Sequence, residues 1–390
     1  MTNPGKTRKT LWGAAFLMAT SAIGPGFLTQ TSFFTSQLLA SFGSIILLSI
    51  LIDIGVQLNI WRLISGYEKP AQEIANGLLP GLGWLLSAMV FAGGLAFNIG
   101  NIAGAGLGLQ VITGMDIRFA ALLSGLFSIW LLVAKNATAL MDRFVLWMGF
   151  LMIGLTAWVA IVSAPPMGQV LQRSFVPDKF SWQALITIVG GTVGGYICFA
   201  GAHRLLDRKD AVSLQPRDVS RSAIGGILAA SAMRILLFLA ALGVVSQGLA
   251  LDAGNPAADV FRLAAGEAGY RLFGIVMWCA AITSVIGSAY TSVSFISTYH
   301  PRLAEKPGPV LALFIAFSTI VFLLVGQPVR VLVWAGMLNG LILPFSLFIL
   351  LAAVYMKKAP NGYQHPKWLG LTGLLIALVL AWIAMQAFLQ

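Results

Sequence analysis

Charge is scarce in this chain. Only 9% of its 390 residues are Asp, Glu, Lys or Arg, against about 25% in a soluble globular domain, and a water-facing protein with a charged surface is thereby excluded. Cysteine is nearly missing too. Cys198 and Cys279 are the two there are, and both stand in apolar runs, where a thiol is a small core residue and not half of a disulfide. Histidine stops at His203, His300 and His365, far apart and with no His-Glu-x-x-His among them, so an intramembrane metalloprotease is excluded. The chain has no Gly-rich loop followed by Lys-Ser/Thr, which removes ATP-driven transport within it. No ring of acids and no conduction filter argues for a channel. No catalytic residues, no cofactor and no resident metal site are expected.

What fills the chain is apolar. Hydrophobic residues make up 58% and the mean hydropathy is +0.88, the composition of an integral membrane protein. Runs of about 20 apolar residues are candidate spans, and eleven occur, near 11–40, 44–65, 82–113, 117–135, 143–164, 182–204, 222–249, 271–299, 308–326, 329–356 and 367–389. The stretch after Lys6-Thr7-Arg8-Lys9 is far too long for a cleaved signal peptide and reads as a first helix. Gly104-Ala105-Gly106 in the third run implies close helix packing.

The basic residues set the orientation. With the N-terminus inside, seventeen of the 24 lysines and arginines fall on the inner side and six on the outer, leaving Arg234 within a span. The net charge of +11 is therefore a topology signal. It implies no nucleic-acid partner, and nothing implies a protein partner. The expected site is the bacterial inner membrane, with the N-terminus cytoplasmic and the C-terminus outside. The loop near 205–221, with Asp207, Arg208, Lys209, Asp210, Arg217, Asp218 and Arg221, reads as a solvated linker. Asn136-Ala137-Thr138 fits a glycosylation sequon, discounted because its short loop is on the inner side.

Two of the spans are interrupted. The first holds Gly24-Pro25-Gly26-Phe27-Leu28-Thr29-Gln30-Thr31-Ser32, the sixth Gly190-Gly191-Thr192-Val193-Gly194-Gly195-Tyr196. Non-helical backbone at membrane depth is tolerated only where it is buried in protein or lines a wet cavity. Interrupted spans at matching places in two halves mark a transporter's binding site. The spans divide as five, five and one, giving a first repeat over 11–164, a second over 182–356 and an additional C-terminal helix over 367–389. An odd number of spans per repeat turns the second upside down relative to the first.

At these residues the chain resembles the Nramp family, within the LeuT-like fold of the APC superfamily. Gly24-Pro25-Gly26 is similar to the Nramp first helix, and Gly190-Gly191-Thr192-Val193 to the Gly-Ala-Thr-Val before the sixth-helix break. Thr283-Ser284-Val285-Ile286-Gly287-Ser288 is similar to the eighth helix and Leu343-Pro344-Phe345 to the tenth. The resemblance implies an all-α membrane protein with a 5+5 inverted repeat plus an eleventh helix, spans one and six unwound. Metal-transporting members carry Asp-Pro-Gly-Asn and Met-Pro-His at the two breaks. Here Gln30, Thr31 and Ser32 stand in the first, and Gly194-Gly195-Tyr196 in the second. A divalent ion held by amides and hydroxyls alone is poorly compensated.

An unwound span also exposes N–H groups and the positive end of a half-helix, which suit a carboxylate. The expected activity is secondary active transport of a small organic anion, coupled to H+ or Na+. Relatives lacking the metal ligands are associated with 5-oxoproline metabolism, which makes that acid a concrete candidate. The alternative is an Nramp-type carrier of Mn2+ or Mg2+. The expected substrate-binding residues are Thr29, Gln30, Thr31, Ser32, Thr192, Gly194, Gly195, Tyr196 and Asn339. Expected ion-coupling residues are Asp53 and Arg234, charges placed midway in spans two and seven that could neutralise each other, with Thr283 and Ser284 as sodium ligands. Asn98, Asn101 and Asn339 read first as interhelical hydrogen bonds, and His203 as an interfacial residue.

Overall fold

The computed structural model describes residues 11–134, 137–206, 215–297, 299, 307–357 and 362–389, apart from 12, 16 and 17. The basic run of Lys6, Arg8 and Lys9, Lys135 and Asn136 of the sequon, the loop charges at 207–210, His300, Arg302, Lys306 and Lys358 lie outside the described residues.

Among the described residues every regular element is helical, one of the two ways, with the closed β-barrel, to satisfy every backbone polar group away from water. The first apolar run is two helices, α1 (Gly13–Ala22) and α2 (Pro25–Leu38). A 3-10 turn (Leu39–Ser41) leads into α3 (Phe42–Tyr67). Then come α4 (Ala71–Leu78), α5 (Leu82–Thr113), α6 (Ile117–Val133), α7 (Ala137–Val162) and α8 (Met167–Phe175). The sixth run is again two helices, α9 (Trp182–Val193) and α10 (Tyr196–Arg204). They are followed by α11 (Pro216–Ser246), α12 (Pro256–Ser297), α13 (Pro307–Val325), α14 (Pro328–Met356) and α15 (Lys367–Leu389).

Each expected run lies on helix, with two informative differences. The run placed at 271–299 starts earlier, because α12 has a preceding segment set off by a kink at Gly266, φ 65°. By length and apolarity alone, eight described helical stretches are able to cross a membrane, one of them running through α2 and α3. The count rises to nine with the pair α7 and α8, bent by 105°, while α1 and α6 are shorter apolar helices.

α5 packs most extensively on α12, and α14 on α9 and α5. One core cluster surrounds Trp61, Phe42, Phe199 and Phe295; a second joins Phe27, Met233, Phe261 and Phe273. Trp61 buries its ring and donates from Nε1 to Cys198 O at 3.0 Å, tying α3 to α10. The α9–α14 contact is backbone on backbone. A Cβ on Gly190 would lie 2.7 Å from Gly340 Cα, and one on Gly336 2.7 Å from Thr187 O. Small residues at i and i+4 on both helices allow this approach.

Candidate functional site

The first break is shorter and earlier than the sequence implies. Only Ile23 and Gly24 leave the helix, and Thr29, Gln30, Thr31 and Ser32 all lie within α2. Pro25 explains the position. It has no N–H to bond backwards and its ring suits the first position of a helix, so the chain restarts at once. α2 begins with no side-chain cap, which leaves the N–H groups of its first turn without an intrahelical acceptor.

The second break falls where expected, at Gly194 and Gly195. Gly195 has φ 54°, a conformation that glycine adopts at no steric cost, and a Cβ there would collide with Asn339 Oδ1. α10 also begins with no side-chain cap.

The two uncapped ends meet over one asparagine. Tyr196, the first residue of α10, is buried with its phenol near Asn101 and Ser288. Gly24, just before α2, faces the same group: a Cβ on it would lie 3.7 Å from Asn101 Oδ1 and 3.2 Å from Ser284 Oγ. Asn98 and Asn101 project from one face of α5, and Ser284 and Ser288 from one face of α12. Asn98 Nδ2 donates to Val285 O at 2.7 Å and Ser288 Oγ at 2.8 Å, and Asn101 Nδ2 to Ser288 Oγ at 3.4 Å. Tyr196 rests edge-on against Phe97 at 5.5 Å.

The remaining candidates fall into two groups. Gln30 Nε2 donates to Leu332 O at 2.8 Å, and its Oε1 is buried without a donor against α9 at Gly191. Asn339 Nδ2 donates to Gly93 O at 3.0 Å and Ala335 O at 2.8 Å, confirming an interhelical bond, while its Oδ1 too lacks a donor. Thr31 Oγ1 turns back onto Phe27 O at 2.7 Å. Thr29 Oγ1 and Ser32 Oγ are buried and unpartnered.

The second group surrounds Arg234. Its Nη1 donates to Thr192 Oγ1 at 2.8 Å and Ile188 O at 3.3 Å, and its guanidinium carbon sits 4.2 Å from the Phe27 ring centroid. Thr192 Oγ1 in turn donates to Ile188 O at 2.7 Å, and Asp53, buried nearby, feels the charge of Arg234. Asp53 and Arg234 feel each other's charge but form no direct ion pair; among the described residues the ion pairs are Arg173–Asp178, Arg262–Asp259 and Arg271–Glu267.

Of the proposed sodium ligands, Ser284 faces the first break. Thr283 instead donates to Ala280 O at 2.9 Å and lines an apolar cavity of about 190 Å³ that also touches Ile23, Met152 and Met233. His203 stacks on Phe295 at 4.9 Å and accepts from Ala71 N at 3.4 Å. Phe27 and the role of Asn101 as the shared partner were missed. The i, i+3 spacing of Asn98 and Asn101 and the i, i+4 spacing of Ser284 and Ser288 were the available signals.

Residues 15–390 match the family model described as natural resistance-associated macrophage protein-like. The chain belongs to the Nramp family. Members of this family are membrane transporters, and the fold agrees. This Nramp-family chain is 55% identical to the uncharacterized membrane protein YcsG of Bacillus subtilis, over 95% of its own length and 92% of that protein's. It is 50% identical to an uncharacterized membrane protein of Haemophilus influenzae, over 96% and 94%. Its fold is similar to the Eremococcus coleocola manganese transporter in complex with an aromatic bis-isothiourea substituted compound, with TM-score 0.71, 17% identity and coverage of 99% and 88%. It is also similar to MhsT in complex with L-phenylalanine, with TM-score 0.64, 18% identity and 97% of each chain covered. Among the described residues no group of three or more His, Cys, Asp or Glu is placed to hold a metal ion.

Proposed function

We propose that this Nramp-family protein is a secondary active transporter of a small organic anion, 5-oxoproline or a similar compact carboxylate, coupled to H+ or Na+ and working by alternating access. The two five-helix repeats span 11–164 and 182–356, and 367–389 is an addition. The setting is a bacterial inner membrane, N-terminus in the cytoplasm and C-terminus outside.

The observation that carries this reading is the meeting of two uncapped half-helix N-termini, α2 and α10, over Asn101. Neither end has a side-chain cap, so each brings the positive end of a helix dipole to the neighbourhood of Asn101, Ser284 and the Tyr196 phenol. Such an arrangement favours negative charge. A divalent cation there meets two positive helix ends and no acid from Asn101, Ser284, Ser288 or Tyr196. The competing reading, Mn2+ or Mg2+ transport, draws on family membership and on the likeness to a manganese transporter.

A thermal-shift screen of the purified protein separates them, with Mn2+, Mg2+ and small carboxylates including 5-oxoproline, each with and without Na+. A binder at about 100 times its Kd adds about 2.7 kcal/mol. Stabilisation by a carboxylate, weakened by Asn101→Leu, is the expected result. Stabilisation by divalent ions alone, with Mn2+ uptake into proteoliposomes, overturns it.

A further inference from the structure

Arg234 is 3% exposed and lies level with both breaks. Phe27, under its guanidinium, is the third residue of α2, and Thr192, which holds its Nη1, is the last but one of α9. The planar group presents donors on fixed edges. Nη1 is taken by Thr192 and Ile188 O. Nε and Nη2 are both buried without any partner. Those two nitrogens make up one edge of the guanidinium, the edge whose parallel N–H bonds match the two oxygens of a carboxylate.

The acid that feels this charge, Asp53, does not use the edge. It forms no ion pair with Arg234, and its own Oδ1 is buried and unpartnered. A cation with a vacant donor edge, enclosed at membrane depth, is costly in the absence of an anion. Phe27 closes one face of the group, so a ligand must approach in the plane, as a bidentate carboxylate does.

We propose that the Nε/Nη2 edge of Arg234 seats the carboxylate of the transported anion, which makes Arg234 a substrate-binding residue and assigns the substrate to monocarboxylates small enough to lie between α2 and α9. The assignment rests on the anion reading above. Thr192 is a positioning residue that holds Nη1 and so fixes the plane of the guanidinium.

The test uses the full-length protein in nanodiscs and a panel of 5-oxoproline, proline and lactate, each beside its carboxamide. The expected result is that wild type binds at least one carboxylate and not the matching carboxamide. Arg234→Lys, which keeps the charge and loses the edge, should weaken that carboxylate at least tenfold. If Arg234→Lys does not fold, the double variant Asp53→Asn/Arg234→Gln, which leaves no uncompensated charge, takes its place with the same expectation. Binding within twofold of wild type in the variant overturns the assignment of Arg234 and leaves the anion reading standing. Binding of no carboxylate by wild type overturns the anion reading, and the assignment with it.

Discussion

Replacing Gly190 with alanine asks whether the α9–α14 contact is a joint that opens. The added Cβ would lie 2.7 Å from Gly340 Cα and would run into Gly336 O and Gly340 N. Carbon atoms rest about 3.5–4.0 Å apart, so the helices must part by roughly 1 Å. The obstructing atoms are all backbone, so no rotamer change relieves the clash. Overpacking of this kind costs about 1–3 kcal/mol, and about 1.4 kcal/mol is tenfold in a population. The closed conformer therefore loses roughly five- to 150-fold relative to conformers with the helices apart. It has little margin to absorb this, since Gln30 Oε1 and Asn339 Oδ1 are already buried without donors on either side of the contact, at about 1–3 kcal/mol each. Thr187→Cys provides the assay. Thr187 is fully buried beside Gly336, and both native cysteines are buried, so an impermeant thiol reagent starts from a low background. Thr187→Cys alone should be protected, and labelling should quicken about tenfold or more with Gly190→Ala. A variant that loses thermal stability yet labels at the parent rate would show the contact to be static packing and refute the reasoning.

Two further outcomes are expected. His365, between α14 and α15, shares Nδ1 with the Tyr363 hydroxyl at 2.9 Å and Nε2 with Asn59 Oδ1 at 3.1 Å. Burial, then the Arg62 charge, lowers its pKa to about 4 from the ordinary 6.5. The folded state therefore keeps the ring neutral while the unfolded chain takes up a proton first. Its contribution is complete above about pH 6.5 and is lost as the pH falls toward about 4, at about 1.4 kcal/mol per pKa unit. His365→Gln should flatten the fall in apparent Tm between pH 7 and 4.5, and an unchanged slope would assign the acid sensitivity elsewhere. Asp53→Asn should leave carboxylate uptake in proteoliposomes insensitive to an imposed proton gradient; retained dependence would remove Asp53 from the coupling.

The fold was legible because its signals are local. The apolar runs, the Gly-Pro-Gly restart at Gly24–Gly26 and the paired glycines at 190–191 and 194–195 each act within a few residues, and each is where the sequence places it. The first break was misjudged because Thr29 to Ser32 look like a polar gap when read alone. In the fold Thr31 turns back along α2, Gln30 reaches across to α14, Thr29 and Ser32 are buried without partners, and tertiary packing holds all four helical. The site was less legible because its members come from separated helices. Nothing in the sequence near Asn101 announces that Tyr196, 95 positions on, and Gly24 both come to it. Asp53 and Arg234 were singled out as charges in spans, but the hydroxyl that takes Arg234 Nη1 belongs to a third helix, and a pairing argument had no means of finding it.

Charge balance links these residues to ion coupling. Without substrate, the level of the breaks holds one guanidinium and one carboxyl group, which feel each other's charge, and the pair is close to neutral as a set. Seating a carboxylate on Arg234 spends that compensation and leaves Asp53 as an excess anion with 1% exposure. Isolated buried charge is the most expensive state available to a group at membrane depth, so the loaded site is stable only if a cation enters with the anion. A proton on Asp53 meets that need with no new ligand, because it neutralises the carboxylate where it stands. Sodium near Ser284 and Gly24 would instead need ligands of its own. The proposed placement of the anion therefore predicts one proton for each carboxylate and net electroneutral transport. Uptake should then show no dependence on membrane potential at fixed pH gradient, and a current that scales with substrate flux would contradict the placement of the anion beside Arg234.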